Sequence, residues 1–461
     1  MDFGCYLESC IRKKDISINA LAKMCGINRG GLYSIFKNER KLKEDKLFEL
    51  IRIAGLNSTE EKKLVHLFFC DYFGESEFQR IESLLGEIQR VGRDRPIEQQ
   101  IAPFEKKSTL VGEAEICSAL KLLIDTNDTV TTNFSYSCGA IDQLFYSAVC
   151  GGALKELRHI ITLSEEGDHA HNYKTIFSSF KYMYAQSFPY YQWGSVDKLT
   201  RLTAFPNFAI GSQNAVLFDN DWGIFIDDPE TVSNLNNKFA PLLKQCQKFG
   251  RIAEDDMEVK QLYQDSFSDR GEVISFQSYL CVAPYVDYEL IFNIVREQLP
   301  QRELLAKIGY EYYKNVFQTV DFLQFATIDG LKRFAETGNV AEVSGALVQP
   351  AGIEDRIKIL RGISRAAESE HFFIFDDQKF SMPRDFAIEK YTGRLMFGGF
   401  DRTVPNFGQR DKFLAELDDI SLINTFHHAA EYLIHSRKVH SKDFTLRLID
   451  ELLLKLTNHL P

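Results

Sequence analysis

Residues Ile16–Leu56 read ISINALAKMCGINRGGLYSIFKNERKLKEDKLFELIRIAGL, and this stretch decides how the chain divides. Ser17 is a good N-cap, and Ile18, Leu21, Ala22 and Cys25 then recur at helical spacing, so a helix should bury that stripe. Gly26 stops it, because glycine readily takes the left-handed conformation that follows a helix. Ile27 returns to the core, and Asn28 can cap a second helix that turns Leu32, Ile35 and Phe36 inward. The pattern is a helix, a tight turn and a second helix. Leu47, Leu50, Ile51, Ala54 and Leu56 mark a closing helix.

Ser17, Leu21-Ala22, Gly26-Ile27, Leu32, Ile35, Lys37-Asn38 and the closing helix together resemble the lambda-repressor/Cro type of helix-turn-helix domain, the XRE family, over about the first 70 residues. The resemblance implies that the second helix lies in the major groove of double-stranded DNA. Asn28, Arg29, Gly30, Gly31, Tyr33 and Ser34 would then stand near bases. A guanidinium can bond two acceptors on guanine, which makes Arg29 the direct reader. Ser17, Lys37, Arg40, Lys41 and Lys43 would meet phosphates and fix register without reading sequence. One departure matters: Gly30-Gly31 offers no side chains to bases and forms helix poorly, so readout would be thin or would use DNA shape.

A trihelical unit of this kind can also be a pure protein-interaction module, and charge argues against that. Residues 1–70 hold 13 Lys and Arg against 9 Asp and Glu, a net +4, which leaves −15 for the rest of a chain whose total is −11. A basic head is drawn to phosphate while an acidic body is repelled from it.

A chain of 461 residues needs two or three cores. No stretch approaches the apolar length of a membrane span and no signal-like N-terminus is present, so a cytoplasmic protein without membrane contact is expected. Nine scattered Cys without a C-x-x-C pair suit buried thiols in a reducing compartment, and no zinc site is suggested. Ser58 with Glu61 announces a further helix, and Glu75–Val91 carries Phe78, Ile81, Leu84, Leu85, Ile88 and Val91 on one face, either packed on the body or forming a dimer seam. The linker is GRDRPIEQQIAPFEKK, residues 92–107.

Beyond the linker, helical and strand-like patterns alternate, which implies an α/β layer structure. The hairpin about Asp219–Gly223 leads to an Asp228 cap and a long helix, and RLMFGGF leads similarly to a helix from Asp418. The two halves therefore have the shape of an internal repeat. The expected fold is an all-α helix-turn-helix domain at 1–73, a connecting helix and linker at 74–107, and a large α/β body of two lobes, 108–254 and 255–461.

The two-lobed arrangement is similar to the phospholipase D-like fold. That family's signature needs a His and a Lys two apart with a later Asp, and the candidate Asp168-His169-Ala170-His171-Asn172-Tyr173-Lys174 does not fit. Glu165, Glu166, Asp168, His169 and His171 suit a solvated loop better than a metal cluster, and His427-His428 suits packing. Phosphate-loop, nucleophile-elbow and dinucleotide motifs are absent. Aromatic density stands out, with 37 Phe and 19 Tyr, and Tyr182, Tyr184, Tyr190, Tyr191 and Trp193 are candidates to line a pocket for a small-molecule or peptide effector.

The expectation is a sequence-specific DNA-binding transcriptional regulator, acting as a homodimer, with a body that senses a ligand or self-associates, without cofactor or metal and not an enzyme. The alternatives are a defence-type effector acting on a nucleotide or phosphoester, and a protein-interaction scaffold.

Overall fold

A computed structural model describes residues 2–91, 101–134, 139–164, 169–185, 187–194, 205–252, 271–317, 321–341, 343, 345, 347–399 and 413–458. The chain forms two compact units. One, the head, joins Met1–Leu85 to Asn424–Val439, and the other, the body, joins Gly86–Ile423 to His440–Pro461.

The head is helical. α1 (Phe3–Lys13) is capped by Asp2, and α2 (Ile18–Met24) by Ser17, whose hydroxyl accepts from Ala20 N. Gly26 has φ +65°, the left-handed turn that releases the chain from α2. α3 (Arg29–Phe36) starts at Asn28, and α4 (Glu44–Ile53) follows. Leu7, Ile11, Leu21, Leu32, Ile35, Leu47 and Leu50 are buried, all on the inward faces given by helical spacing. Gly4 lets α1 approach α3 closely: a Cβ there would lie 2.3 Å from the Ile35 carbonyl oxygen. α5 (Ser58–Phe73) is capped one residue earlier than its sequence suggested. Asn57 accepts from Thr59 N and Glu60 N while Glu60 reaches back to Asn57 N, a reciprocal box that satisfies three helix-end donors. On α6 (Glu75–Ile88), Phe78, Ile81, Leu84, Leu85 and Ile88 are all buried within the chain, so this face is not a free dimer seam.

The body holds two mixed sheets. The strands of the first are β1 (Thr109–Val111), β2 (Thr129–Asn133), β3 (Glu156–Leu163), β4 (Tyr190–Trp193), β5 (Asn207–Ile210), β6 (Ala215–Phe218), β7 (Trp222–Ile226) and β8 (Gln247–Lys248). The second has β9 (Arg251–Ile252), β10 (Glu272–Gln277), β11 (Asp321–Ala326), β12 (Phe372–Ile374), β13 (Phe386–Lys390), β14 (Leu395–Gly399) and β15 (Phe413–Leu417). Their orders are β1-β7-β6-β5-β2-β3-β4-β8 and, read from its far edge, β9-β15-β14-β13-β10-β11-β12. Seven strands thus repeat in the same order and sense: three parallel strands in the middle and edge, then an antiparallel run. Register agrees as well. Ile210 pairs with Ala215 and Lys390 with Leu395 across hairpins of equal length.

Helices fill the faces: α7 (Glu113–Thr126), α8 (Gly139–Cys150), α9 (His169–Tyr184) and α10 (Pro229–Gln245) with the first sheet, α11 (Tyr288–Ile294), α12 (Arg302–Phe317), α13 (Ile328–Thr337) and α14 (Ile353–Glu368) with the second. α15 (Ile420–His435) and α16 (Lys442–Thr457) close the chain. Asp228 caps α10, and Asp419 accepts from Leu422 N at the start of α15, so each antiparallel run ends on an aspartate and a long helix. Asn127, just after α7, fixes the β5–β6 turn: its Oδ1 accepts from Ser212 N and Gln213 N at 2.7 and 3.0 Å. The two lobes meet through rings. Phe180 of α9 lies 5.3 Å from Phe386 and 5.0 Å from Phe397, and Phe177 lies 5.9 Å from Phe397.

Candidate functional site

α3 presents two faces. Leu32, Ile35 and Phe36 are buried, whereas Arg29, Gly30 and Lys37 are exposed and Tyr33 and Ser34 half-buried beside them. The spacing 29, 30, 33, 34, 37 is one helical stripe. The Arg29 guanidinium lies 5.6 Å from the Tyr33 ring centre, which holds it along the stripe by cation–π attraction. Asn28 spends its carbonyl oxygen on the cap, accepting from Gly31 N at 2.5 Å. Gly31 itself is buried: a Cβ there would sit 2.9 Å from that oxygen and 3.1 Å from Arg40 Nη1. Gly31 therefore stands behind the stripe, and Gly30 on it. Arg40 and Lys43 are exposed, Ser17 is spent on capping α2, and Lys41 donates to the Asp71 carbonyl at 2.7 Å near the end of α5.

Of the aromatic pocket candidates, Tyr191 and Trp193 lie ring to ring at 6.4 Å on β4 (Tyr190–Trp193), and Tyr182 stands on α9. β4, unrecognised in the sequence, sends Tyr190 and Tyr191 to opposite sides of the sheet, because side chains alternate along a strand. Tyr191 is buried and donates to Gln247 Oε1, while Trp193 is half-buried. Tyr182 is buried on α9, where its hydroxyl donates to Asp142 Oδ1 at 2.8 Å. The Tyr184 side chain lies outside the described residues.

Tyr182 belongs instead to a buried polar cluster in the first lobe. Lys181 pairs with Asp142, with side chains only 5% and 8% exposed, and its ammonium lies 5.4 Å from the Tyr146 ring centre. Nearby His159 on β3 exchanges a hydrogen bond with Thr132 Oγ1 of β2 at 2.8 Å and packs against Phe134. Burial holds His159 neutral, with its pKa pushed down to about 3. The second sheet repeats the rung: Thr132 and His159 pair in register as Ser275 and Gln324 do. There Glu389 Oε1 accepts from Gln277 at 2.6 Å and Ser275 at 3.4 Å, and Oε2 accepts from Tyr391 at 2.6 Å. Buried hydrogen-bonded polar groups thus occupy the same rung in both lobes, a position the sequence signalled only as isolated polar letters in apolar strands.

A linkage follows from His159. The unfolded chain binds a proton near pH 6.5 that the folded chain refuses until about pH 3, so stability is full above pH 6.5 and falls as pH drops through that window. The expected loss between pH 7 and pH 5.5 is about 1 kcal/mol from this group alone. Urea midpoints for the wild type and His159→Gln at both pH values measure it, and equal pH slopes in the two proteins would remove this assignment.

Glu165, Glu166 and Asp168, with the His169 side chain, lie outside the described residues. His171 is half-buried on α9. No group of three or more metal-ligating side chains converges among the described residues. His440-Ser441-Lys442, overlooked in the sequence, has the His-x-Lys spacing, but Ser441 caps α16, Lys442 donates to the Glu368 carbonyl, and His440 stacks on Phe444 at 4.0 Å. Among the described residues no helix is long and apolar enough to cross a membrane.

No protein-family model matches this chain, and no curated protein does. Among solved structures, phosphatidylserine synthase of Haemophilus influenzae Rd KW20 matches with 10% identity over 82% of this chain and 97% of that one, at a TM-score of 0.23. Polyphosphate kinase from Porphyromonas gingivalis matches with 10% identity over 79% of this chain and 57% of that one, at a TM-score of 0.22. The expectation that the chain is not an enzyme is corrected accordingly, since the structures it matches are a synthase and a kinase. At TM-scores this low, no substrate and no residue role passes from either to this chain.

Proposed function

We propose that the chain is a DNA-binding protein that reads duplex DNA with the exposed stripe of α3, carried on a two-lobed α/β body. The observation that carries this reading is the stripe itself: Arg29, Gly30, Tyr33, Ser34 and Lys37 side by side on a short capped helix, with exposed Arg40 and Lys43 following. Arg29 is the base reader, and Lys37, Arg40 and Lys43 neutralise phosphates. Lys41, tethered to the α5 carbonyl, contributes less than its charge suggests. Two copies would place their α3 helices in successive major grooves.

Arg29→Ala is expected to cost about 1–3 kcal/mol of preference for the cognate site over other sequences. Lys37→Ala should weaken all duplexes alike and lower the slope of log affinity against log salt by about 1. Fluorescence anisotropy across a salt series distinguishes the two effects, and unchanged binding in both variants would refute the docking.

A second reading, in which the body acts on a phosphoester and the head delivers it to DNA, is favoured by one observation. Asp142, Lys181, Tyr182 and His159 are gathered beside the parallel strands β2 and β3, and such sheets place ligands at their strand ends. Turnover of a chromogenic phosphodiester by the purified chain would support it, and no turnover across divalent metals would count against it.

A further inference from the structure

The repeat gives α10 and α15 the same place, each following the last antiparallel strand behind an aspartate cap. They are used differently. α10 covers its own sheet, setting Val232 and Phe239 against Phe208, Ile210 and Leu217. From Asn424 onward α15 belongs to the head unit. There Thr425, His428, Tyr432 and His435 fall at spacings of three and four on one face. Thr425 Oγ1 donates to Glu77 Oε1 at 2.9 Å, and His428 Nδ1 lies 3.0 Å from the same oxygen. The Tyr432 ring meets Phe69 and Phe78 edge-on at 4.8 and 5.2 Å, and Arg437 covers Phe48 at 4.4 Å.

We propose that α5 and α6 form a docking groove for an amphipathic helix, that residues 424–439 of this chain are its occupant, and that the head is a stable fold only while the groove is filled. The groove's chemistry selects its partner. Phe68 turns toward α1, where it meets Phe3, whereas Phe69 and Phe78 take the Tyr432 ring. Glu77 supplies one carboxylate oxygen that fits a hydroxyl and an imidazole one turn apart. A fitting helix therefore carries a hydroxyl, an imidazole and a tyrosine at i, i+3 and i+7. Removing the helix would expose two large rings, Phe69 and Phe78, whose residues are now fully buried. Because the occupant arrives after both lobes in the chain, the stripe on α3 is assembled only when the body is. That last consequence rests on the DNA reading, and the docking itself does not.

The test uses the full-length protein with a site-specific protease sequence placed within residues 92–100, cut after folding and run by gel filtration. The two pieces should stay together in the wild type. Tyr432→Ala should release the head piece at least about tenfold more readily, and Glu77→Gln, which keeps the shape, several-fold. In the uncut chain Tyr432→Ala should speed hydrogen exchange in α5 and α6 while β2 and β3 stay unchanged. The proposal is overturned if cut wild type separates into a head piece that keeps its helical circular dichroism, or if both variants hold the pieces as firmly as wild type. No DNA is present, so these outcomes stand apart from any result on DNA binding.

Discussion

Lys181→Ala lowers the stability of the first lobe by about 3–5 kcal/mol, the cost of leaving a buried carboxylate without its counter-charge. Asp142 is 8% exposed at its side chain and also accepts from the Tyr182 hydroxyl at 2.8 Å. The reverse change, Asp142→Ala, removes the carboxylate paired with the buried Lys181 ammonium, which lies 5.4 Å from the Tyr146 ring centre, and costs a similar amount. The double replacement Asp142→Leu with Lys181→Met, which removes both charges, should regain most of the loss. Both tryptophans, Trp193 and Trp222, lie in the first sheet, so their fluorescence during urea unfolding reports on this lobe. If Lys181→Ala unfolds at the wild-type midpoint, the pair is not the structural element described.

Phe180→Ala is the second large effect, again about 3–5 kcal/mol. The ring is fully buried between Phe177 at 5.5 Å, Phe249 at 6.1 Å, and the Phe386 and Phe397 rings of the second sheet. Close packing around it leaves a cavity when it is truncated, because neighbours relax only in part. Phe180→Met refills most of the volume with a flexible chain and should cost under about 1.5 kcal/mol. Unfolding followed by tryptophan fluorescence orders the three proteins, and equal midpoints would mean that the lobes do not depend on this junction.

Local signals in the sequence found what local physics decides. Ser17, Gly26, Asn28 and Asp228 each act within four residues, and each takes the role its chemistry announces. Asn57 and Ser58 are both capping types, which is why the cap of α5 falls one residue from its expected place. Non-local placement was harder to see. Tyr190–Trp193 drew attention by aromatic density, yet it is a strand whose alternation divides those rings between two faces. Phe386–Lys390 went unrecognised because Glu389 points inward, and only cross-strand partners such as Gln277 and Tyr391 make an inward carboxylate tolerable. The internal repeat was visible in the order of elements, but its register rests on rungs such as Thr132–His159 and Ser275–Gln324, where no residue is shared. The return of Asn424–Val439 to the head had no local signal at all.

The proposed reading of DNA by the α3 stripe can be decided in one experiment. The experiment is selection of the full-length protein on random duplex DNA at low and moderate salt, read by sequencing. An enriched motif is expected, paired at fixed half-site spacing and lost with Arg29→Ala. No enrichment from folded wild-type protein at either salt concentration would contradict it, and would leave the head as a protein-binding module on a body to be assayed as an enzyme.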